Sequence, residues 1–342
     1  MSRIYLDHNA TTGLRPEARA AMLAAMDLIG NPSSVHAEGR AAKGCVETAR
    51  GQIAAAVGAH DADIVFTSGA TEAAALALAG RGLTAAAIEH DAVMGWIDPC
   101  LPLGADGRVQ VPDPTQTTLQ MANSETGILQ DLPAGLAVSD VTQVIGRMPF
   151  AFDWSGLGMA FLSAHKFGGP KGVGALIIRR GTEIAARITG GGQEMGRRAG
   201  TENTVGIAGC GAAIAAADRD LADGRWERVA ELRNILEETL ERLSPETIFV
   251  GKGQSRLPNT SCLITPGWKG EMQVMTMDLA GFAISAGSAC SSGKVRSSRV
   301  LRAMGYTETE AGSAVRVSLG LDTTTDDVMQ FAQVWSEKRK KH

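Results

Sequence analysis

Met159-Ala160-Phe161-Leu162-Ser163-Ala164-His165-Lys166 is a short apolar run that closes on a lysine, and Phe167-Gly168-Gly169-Pro170-Lys171-Gly172 follows at once. A run of uncharged residues bounded by glycine reads as a strand covered on both faces, the kind that builds parallel sheets. A lysine at its end, entering a glycine-rich loop, is badly placed for a solvated charge. An enzyme that forms a Schiff base needs such a lysine, because partial burial disfavours the ammonium and frees the amine. A structural lysine at a strand end fits the same pattern, so the stretch needs partners.

Outward from it, short apolar segments recur at residues 64–66, 85–88, 118–122, 136–139, 150–152 and 174–178. Helical spacing covers 16–29 and 37–57, and an alanine-rich helix follows residue 71. From 203 to 243 the pattern is helical with a break near Gly224, and beyond it strands around Ile248, Cys262, Ile284 and Val315 alternate with helices. Residues 99–117, rich in Pro, Gly and Asp, read as loop or weak strand. The alternation predicts an α/β protein. A large, mostly parallel sheet domain is expected over 13–223, and a smaller α/β domain over 224–342 that also takes up residues 1–12.

The 342 residues are 44% hydrophobic and 20% charged, which suits a globular chain able to bury a core without disulfides. A net charge of -4 argues against a nucleic-acid partner, and the basic run at 338–341 reads as a solvated helix end. The N-terminal residues lack secretory features and no apolar run reaches membrane length, so a cytoplasmic protein without a membrane partner is expected. The five cysteines are scattered, without a CxxC pair, and read as reduced thiols rather than a disulfide framework or a zinc site.

Two further stretches bear on Lys166. Asp140-Val141-Thr142-Gln143 follows a predicted strand, where a carboxylate would keep a pyridinium nitrogen protonated; a plain turn aspartate reads the same way. Thr67-Ser68-Gly69-Ala70-Thr71-Glu72 is a strand-to-helix junction whose backbone N–H groups and helix dipole suit a phosphate, and it also reads as an ordinary N-cap. Lysine, strand-end aspartate and phosphate cradle together are what pyridoxal phosphate requires.

These segments resemble the cysteine desulfurase family, within the class V aminotransferase group of fold-type I pyridoxal-phosphate enzymes. The matching stretches are YLDHNATT at 5–12, GNPSSVH at 30–36, FTSGATE at 66–72, IEHDAV at 88–93 and NSETGILQ at 123–130. Asp140 with Gln143, SAHK at 163–166, GGGQEMGRRAGTEN at 190–203, SAGSACSSG at 285–293 and VRVSLG at 315–320 complete them in the family's order. The resemblance implies that Lys166 bonds to the cofactor, Asp140 pairs with the pyridine nitrogen and Gln143 lies near the phenolic oxygen. It implies that Ala70, Thr71, Ser163 and His165 hold the phosphate, and that Thr201 reaches the phosphate of a second subunit in a homodimer. His90 would stack on the ring and move protons. Arg316, helped by Asn31, would hold the carboxylate of L-cysteine.

Cys290 differs from Cys45, Cys100, Cys210 and Cys262, which read as small buried hydrophobes. Its neighbours Gly287, Ser288, Ala289, Ser291, Ser292 and Gly293 predict a mobile exposed loop, and Lys294, Arg296 and Arg299 favour a thiolate. The resemblance makes it the residue that receives sulfur from cysteine, leaving alanine, and passes it to an unidentified acceptor protein for iron–sulfur or other cofactor synthesis. The chain also departs from the family. Ser124 stands where an asparagine contacts the cofactor, and Ala73-Ala74-Ala75 replace polar residues. Twelve residues between Gly127 and Asp140 leave no room for a helix and a strand, so a covering helix is expected to be missing. Another class V activity, such as an aminotransferase or selenocysteine lyase, and a non-catalytic relative are the alternatives.

Overall fold

The computed structural model describes residues 3–287 and 297–340. After β1 (Ile4–Tyr5) come α1 (Pro16–Met26) and α2 (Ala37–Ala56). Pro16 opens α1, where its missing N–H leaves no bond unmade. In α2 the buried Gly39, Ala42, Val46, Ala49 and Ile53 fall at steps of three and four, one face of a helix. β2 (Ala62–Thr67) turns through Ser68-Gly69 into α3 (Ala70–Leu78), and α4 (Asp91–Met94) is a single turn capped by His90. Next come β3 (Val138–Asp140), α5 (Phe152–Ser155), β4 (Met159–Ser163) and β5 (Gly174–Arg179). α6 (Thr204–Ala222) and α7 (Arg225–Leu243) break at Gly224, whose left-handed φ of 70° suits glycine. The rest runs β6 (Ile248–Phe249), β7 (Thr260–Ile264), α8 (Gly270–Leu279), β8 (Phe282–Ala283) and β9 (Ser285–Ala286). It closes with α9 (Arg299–Ala303), α10 (Glu308–Gly312), β10 (Ala314–Ser318) and α11 (Thr325–Arg339).

The first sheet has the order β2-β5-β4-β3. β2 and β4 both pair antiparallel with β5, so they run the same way as each other, and β3 pairs parallel with β4. Isolated parallel bridges Thr118–Val138 and Thr84–Thr117 extend it further in the same direction. β5 alone is reversed, which makes the sheet mostly parallel. Alternate residues serve opposite faces. Ile64, Phe66, Ala160, Leu162 and Ile177 pack with α2 and α6 residues such as Val46, Ile53 and Ile214. Val65, Met159, Phe161, Leu176 and Ile178 pack with Leu76 and Leu78 of α3. Burial on both faces explains why these strands read as unbroken apolar runs.

Two expected strands did not form. Residues 85–88 carry no ladder, and residues 150–152 run into α5 instead. There the Phe152 N–H donates to Val57 O at 2.8 Å and the Asp153 N–H to Gly58 O at 3.0 Å, so the end of α2 takes these amides. Between Gly127 and Asp140 no helix occurs, as the segment length required.

The second sheet, β6-β7-β10-β9, is antiparallel throughout. It shares a core with α7 and α11 through Leu232, Leu236, Leu263, Val315, Phe331 and Trp335. The N-terminal strand joins it: β1 pairs with β8, Asp7 bridges to Ser318, and Leu6 lies in the same cluster.

Candidate functional site

β2 ends at Thr67, β3 at Asp140 and β4 at Ser163, so three strands running one way open their carboxyl ends on one edge. Ligands of open α/β sheets gather outside such ends. Gly174 pairs with both Thr67 and Ser163 and sits between them. A Cβ there would come within 2.7 Å of Gly69 Cα and 2.6 Å of the Leu162 carbonyl oxygen, so glycine lets the Ser68-Gly69 turn cross the strand ends. A side chain on Gly69 would stand 3.7 Å from Ser163 Oγ, which brings Ser163 against the start of α3, where Ala70 and Thr71 lie. Glu72 braces the turn: its Oε2 accepts the Ser68 N–H at 2.8 Å and its Oε1 accepts Arg198 Nε at 2.8 Å. Burial pushes the Glu72 carboxyl up, but Arg198 and Ser68 overrule it and hold it below the ordinary range.

Beside this cradle Lys166 Nζ donates to the carbonyls of Asn9 and Ala10 at 2.7 and 2.9 Å. Gln143 Nε2 donates to the same Asn9 carbonyl at 3.1 Å, so Lys166 and Gln143 meet on the N-terminal segment. Asp140 Oδ1 accepts the Thr142 N–H at 2.9 Å, which closes the turn after β3. His165 Nδ1 lies 3.2 Å from Thr11 Oγ1. Burial, with help from Lys166, Lys171 and Arg147, pulls the His165 imidazole down to about 4, so it is neutral at physiological pH. His90 Nδ1 accepts the Ala92 N–H at 3.1 Å, so the neutral ring carries its proton on Nε2.

Arg316 is nearly buried. Its NH2 donates to Asp7 Oδ1 at 2.7 Å and its NH1 to the Ser124 carbonyl at 3.0 Å, while its buried Nε has no partner among the described residues. Ser124 thus enters the site through its backbone. Asn31 is exposed, and its Oδ1 takes the Ser33 N–H at 2.9 Å in a local turn. Thr201 is exposed and makes no hydrogen bond among the described residues. Cys290, Lys294 and Arg296 lie outside the described residues. Arg299 is already committed: it donates to the Ala87 and Glu89 carbonyls at 2.7 and 2.8 Å and to Asp91 Oδ1 at 2.8 Å. Its relation to the Cys290 thiol lies outside the described residues. Among the other cysteines, burial lifts Cys210 and Cys262 to about 12, while Cys100 is exposed because residues 99–101 run over the surface.

Several residues escaped the sequence reading. Glu89 is buried, accepts the Gln120 N–H at 2.8 Å, and is pushed up to about 8 by burial with Asp140 adding to it. Glu125 is lifted to about 7 by burial, and Ser298, the cap of α9, donates to it at 2.5 Å. Asn9 joins Ser124, Thr260, Asn259 and Arg147 in one buried network. Its only sequence signal was its place in the YLDHNATT stretch.

The sequence pattern of the family described as aminotransferase class-V matches residues 4–94 and 112–331. The chain belongs to this family. The unmatched stretch, 95–111, falls in the surface segment before the Thr117 bridge. Among class V relatives, a cysteine desulfurase of Frankia sp. (strain EuIK1) is 40% identical, with 97% of this chain and 90% of that protein covered. A NifS-like protein from Rickettsia africae superposes with a TM-score of 0.90 at 32% identity, over 99% of this chain and all of that one. A solved structure described as SspA in complex with cysteine is 27% identical, with a TM-score of 0.74, covering 92% of this chain and 98% of its own. The fold is therefore that of fold-type I, as the class V resemblance implied.

Proposed function

We propose that this class V chain is a pyridoxal-phosphate-dependent cysteine desulfurase, which takes L-cysteine to L-alanine and leaves the sulfur as a persulfide on Cys290. The observation that carries the reading is the junction at one sheet edge of Lys166, Asp140 and the Gly69–Gly174 cradle at the start of α3. An amine, a carboxylate and a phosphate seat in that order fit pyridoxal phosphate, with Gln143, Ser163 and His165 beside them. His90, Thr71, Ala70 and the Ser124 position are assigned to the cofactor on the family resemblance. Bound there, the cofactor supplies an electron sink for the Cα–H bond of an amino acid.

The chain's own residues then divide the work. Asp140 keeps the proton on the pyridine nitrogen, and Lys166 takes and returns the Cα proton. Arg316 holds the substrate carboxylate through its guanidinium. His90 moves a proton at the substrate thiol through Nε2. The substrate Cβ–S bond breaks as the Cys290 thiolate forms an S–S bond, so one cysteine yields one alanine and one persulfide.

An exposed Thr201 supports a homodimer in which each chain completes the other's phosphate seat. An acceptor protein then removes the sulfur. No helix of the described residues is long and apolar enough to cross a membrane, and the cytoplasm is proposed on cysteine usage.

The test compares the parent with Lys166→Ala and Cys290→Ser. Borohydride should fix the cofactor to Lys166 in the parent. Cys290→Ser should keep the visible absorbance and its change on adding cysteine, yet form no alanine or persulfide. Cofactor fixed to another lysine would remove the Lys166 assignment, and parental alanine formation by Cys290→Ser would point to a lyase or aminotransferase.

A further inference from the structure

Arg147 is a buried cation with no carboxylate in ion-pair range among the described residues. Its guanidinium is spread over five acceptors instead. NH1 donates to Asn9 Oδ1 at 3.1 Å, to the Gln143 carbonyl at 3.2 Å and, by a short contact, to Gln143 Oε1. NH2 donates to the His8 carbonyl at 2.9 Å and to the Lys166 carbonyl at 3.1 Å. Burying a guanidinium without an anion costs several kcal/mol, so an arrangement that keeps one calls for a reason.

The five acceptors supply it. Lys166 sends its ammonium to the carbonyls of Asn9 and Ala10, and Gln143 Nε2 donates to the Asn9 carbonyl. Arg147 grips the backbone of Lys166, both ends of Gln143, and the His8-Asn9 segment from below. Three separate stretches, 8–9, 143 and 166, thus share one rigid planar fork. A lysine ammonium, a point charge on a flexible stem, has no such span. The surrounding groups register the charge: burial and then Arg147 pull the His8 imidazole down to about 4.

We propose that Arg147 is a positioning residue, which sets the backbone of Lys166 and the amide of Gln143 against the N-terminal segment so that the amine stands ready for the cofactor's carbonyl. The inference rests on Lys166 being the cofactor lysine. Its readout is the rate at which the cofactor-free chain captures pyridoxal phosphate covalently, followed by absorbance and checked by borohydride fixation.

Arg147→Gln should slow capture about tenfold or more at a temperature where circular dichroism finds it folded, the scale on which small misplacements act. Arg147→Lys, which keeps the charge and the fold but not the fork, should be slowed as well, though less. The KM for cysteine of the loaded variants should change less than the capture rate, because the hydrogen bonds of Arg147 go to residues 8, 9, 143 and 166 and, among the described residues, none goes to Arg316. Parental capture by folded Arg147→Gln overturns the proposal. If that variant does not fold, parental capture by Arg147→Lys overturns it. Lys166→Ala separates the two claims. Undiminished capture in Lys166→Ala sinks the Lys166 assignment itself, whereas lost capture there with parental capture in both Arg147 variants sinks only the positioning role.

Discussion

Arg316 on β10 pairs with Asp7 at 2.7 Å, so the fork assigned to a substrate carboxylate already holds a carboxylate of its own chain. Asp7 is in turn fixed by Ser285 Oγ at 2.8 Å on the neighbouring β9. The pair therefore orients the guanidinium from one side. Arg316→Lys should raise KM for cysteine by about tenfold, roughly 1.4 kcal/mol of binding, with a smaller change in kcat. Asp7→Asn should not raise KM, but breaking a pair this buried should cost on the order of 3 kcal/mol of stability. Steady-state alanine formation and denaturant unfolding check the two arms. An unchanged KM in Arg316→Lys would move the carboxylate site elsewhere.

A second pair controls the loop that carries Thr201. Glu194 and its neighbour Met195 hold left-handed φ values of 48° and 58°, a conformation that costs non-glycine residues energy. Glu194 is kept there by Arg50, whose two terminal nitrogens reach its oxygens at 2.9 and 3.0 Å, and by the Phe66 N–H at 2.9 Å. Glu194→Ala removes all three bonds and should destabilise the protein by about 3 kcal/mol. Cofactor retention in gel filtration should fall with it, because the same loop ends in Thr201. Full retention by a clearly destabilised variant would separate the loop from the site.

How far the sequence reached can be judged from particular residues. The runs at Met159–Ser163 and Gly174–Arg179 were legible as strands because both faces of the sheet are buried, which leaves an unbroken apolar signature. Residues 150–152 carry a similar signature but were claimed by the end of α2, a contact about ninety positions distant that no local pattern records. Asp140 at the end of β3 and Lys166 just beyond β4 stand where the flanking apolar runs place them. Arg147, Glu89 and Glu125 were not legible. Each is a charged residue whose burial comes from long-range packing, and periodicity treats a charge as solvent-facing. Arg299 was read by its distance from Cys290 along the chain, whereas its bonds run to residues 87–91.

Stability should also depend on pH in a way that identifies Glu89. Its folded pKa is raised to about 8, so between about 4.5 and 8 the folded chain keeps a proton that the unfolded chain has lost. Stability contributed by that proton is complete below the unfolded value and disappears as pH rises through the folded one. Glu125, raised to about 7, acts in the same direction over a shorter range. His8 and His165, lowered to about 4, act oppositely but only below about 6.5. From pH 6.5 to 8 the acids therefore act alone, and the cofactor-free protein should lose stability by about 1 kcal/mol per pH unit or more. Glu89→Gln should flatten most of that slope in thermal unfolding. A parental slope in the variant would show that Glu89 does not keep its proton.

The proposed sharing of sites between two chains permits a test by complementation. Thr201 is exposed on its own chain, and if it seats the phosphate of the partner's cofactor, Thr201→Glu should weaken cofactor binding by placing a like charge there. Lys166→Ala should be inactive for a different reason. In a mixed dimer of these two variants, one site has an intact Lys166 and receives an intact Thr201 from the other chain, while the second site has neither. Co-expressed and purified through two tags, the mixed dimer should recover about half the parental activity per dimer, the fraction of sites left whole in a two-fold assembly. If Thr201 instead serves the site of its own chain, each site of the mixed dimer carries one defect. No activity would return, and the homodimeric site would have to be abandoned.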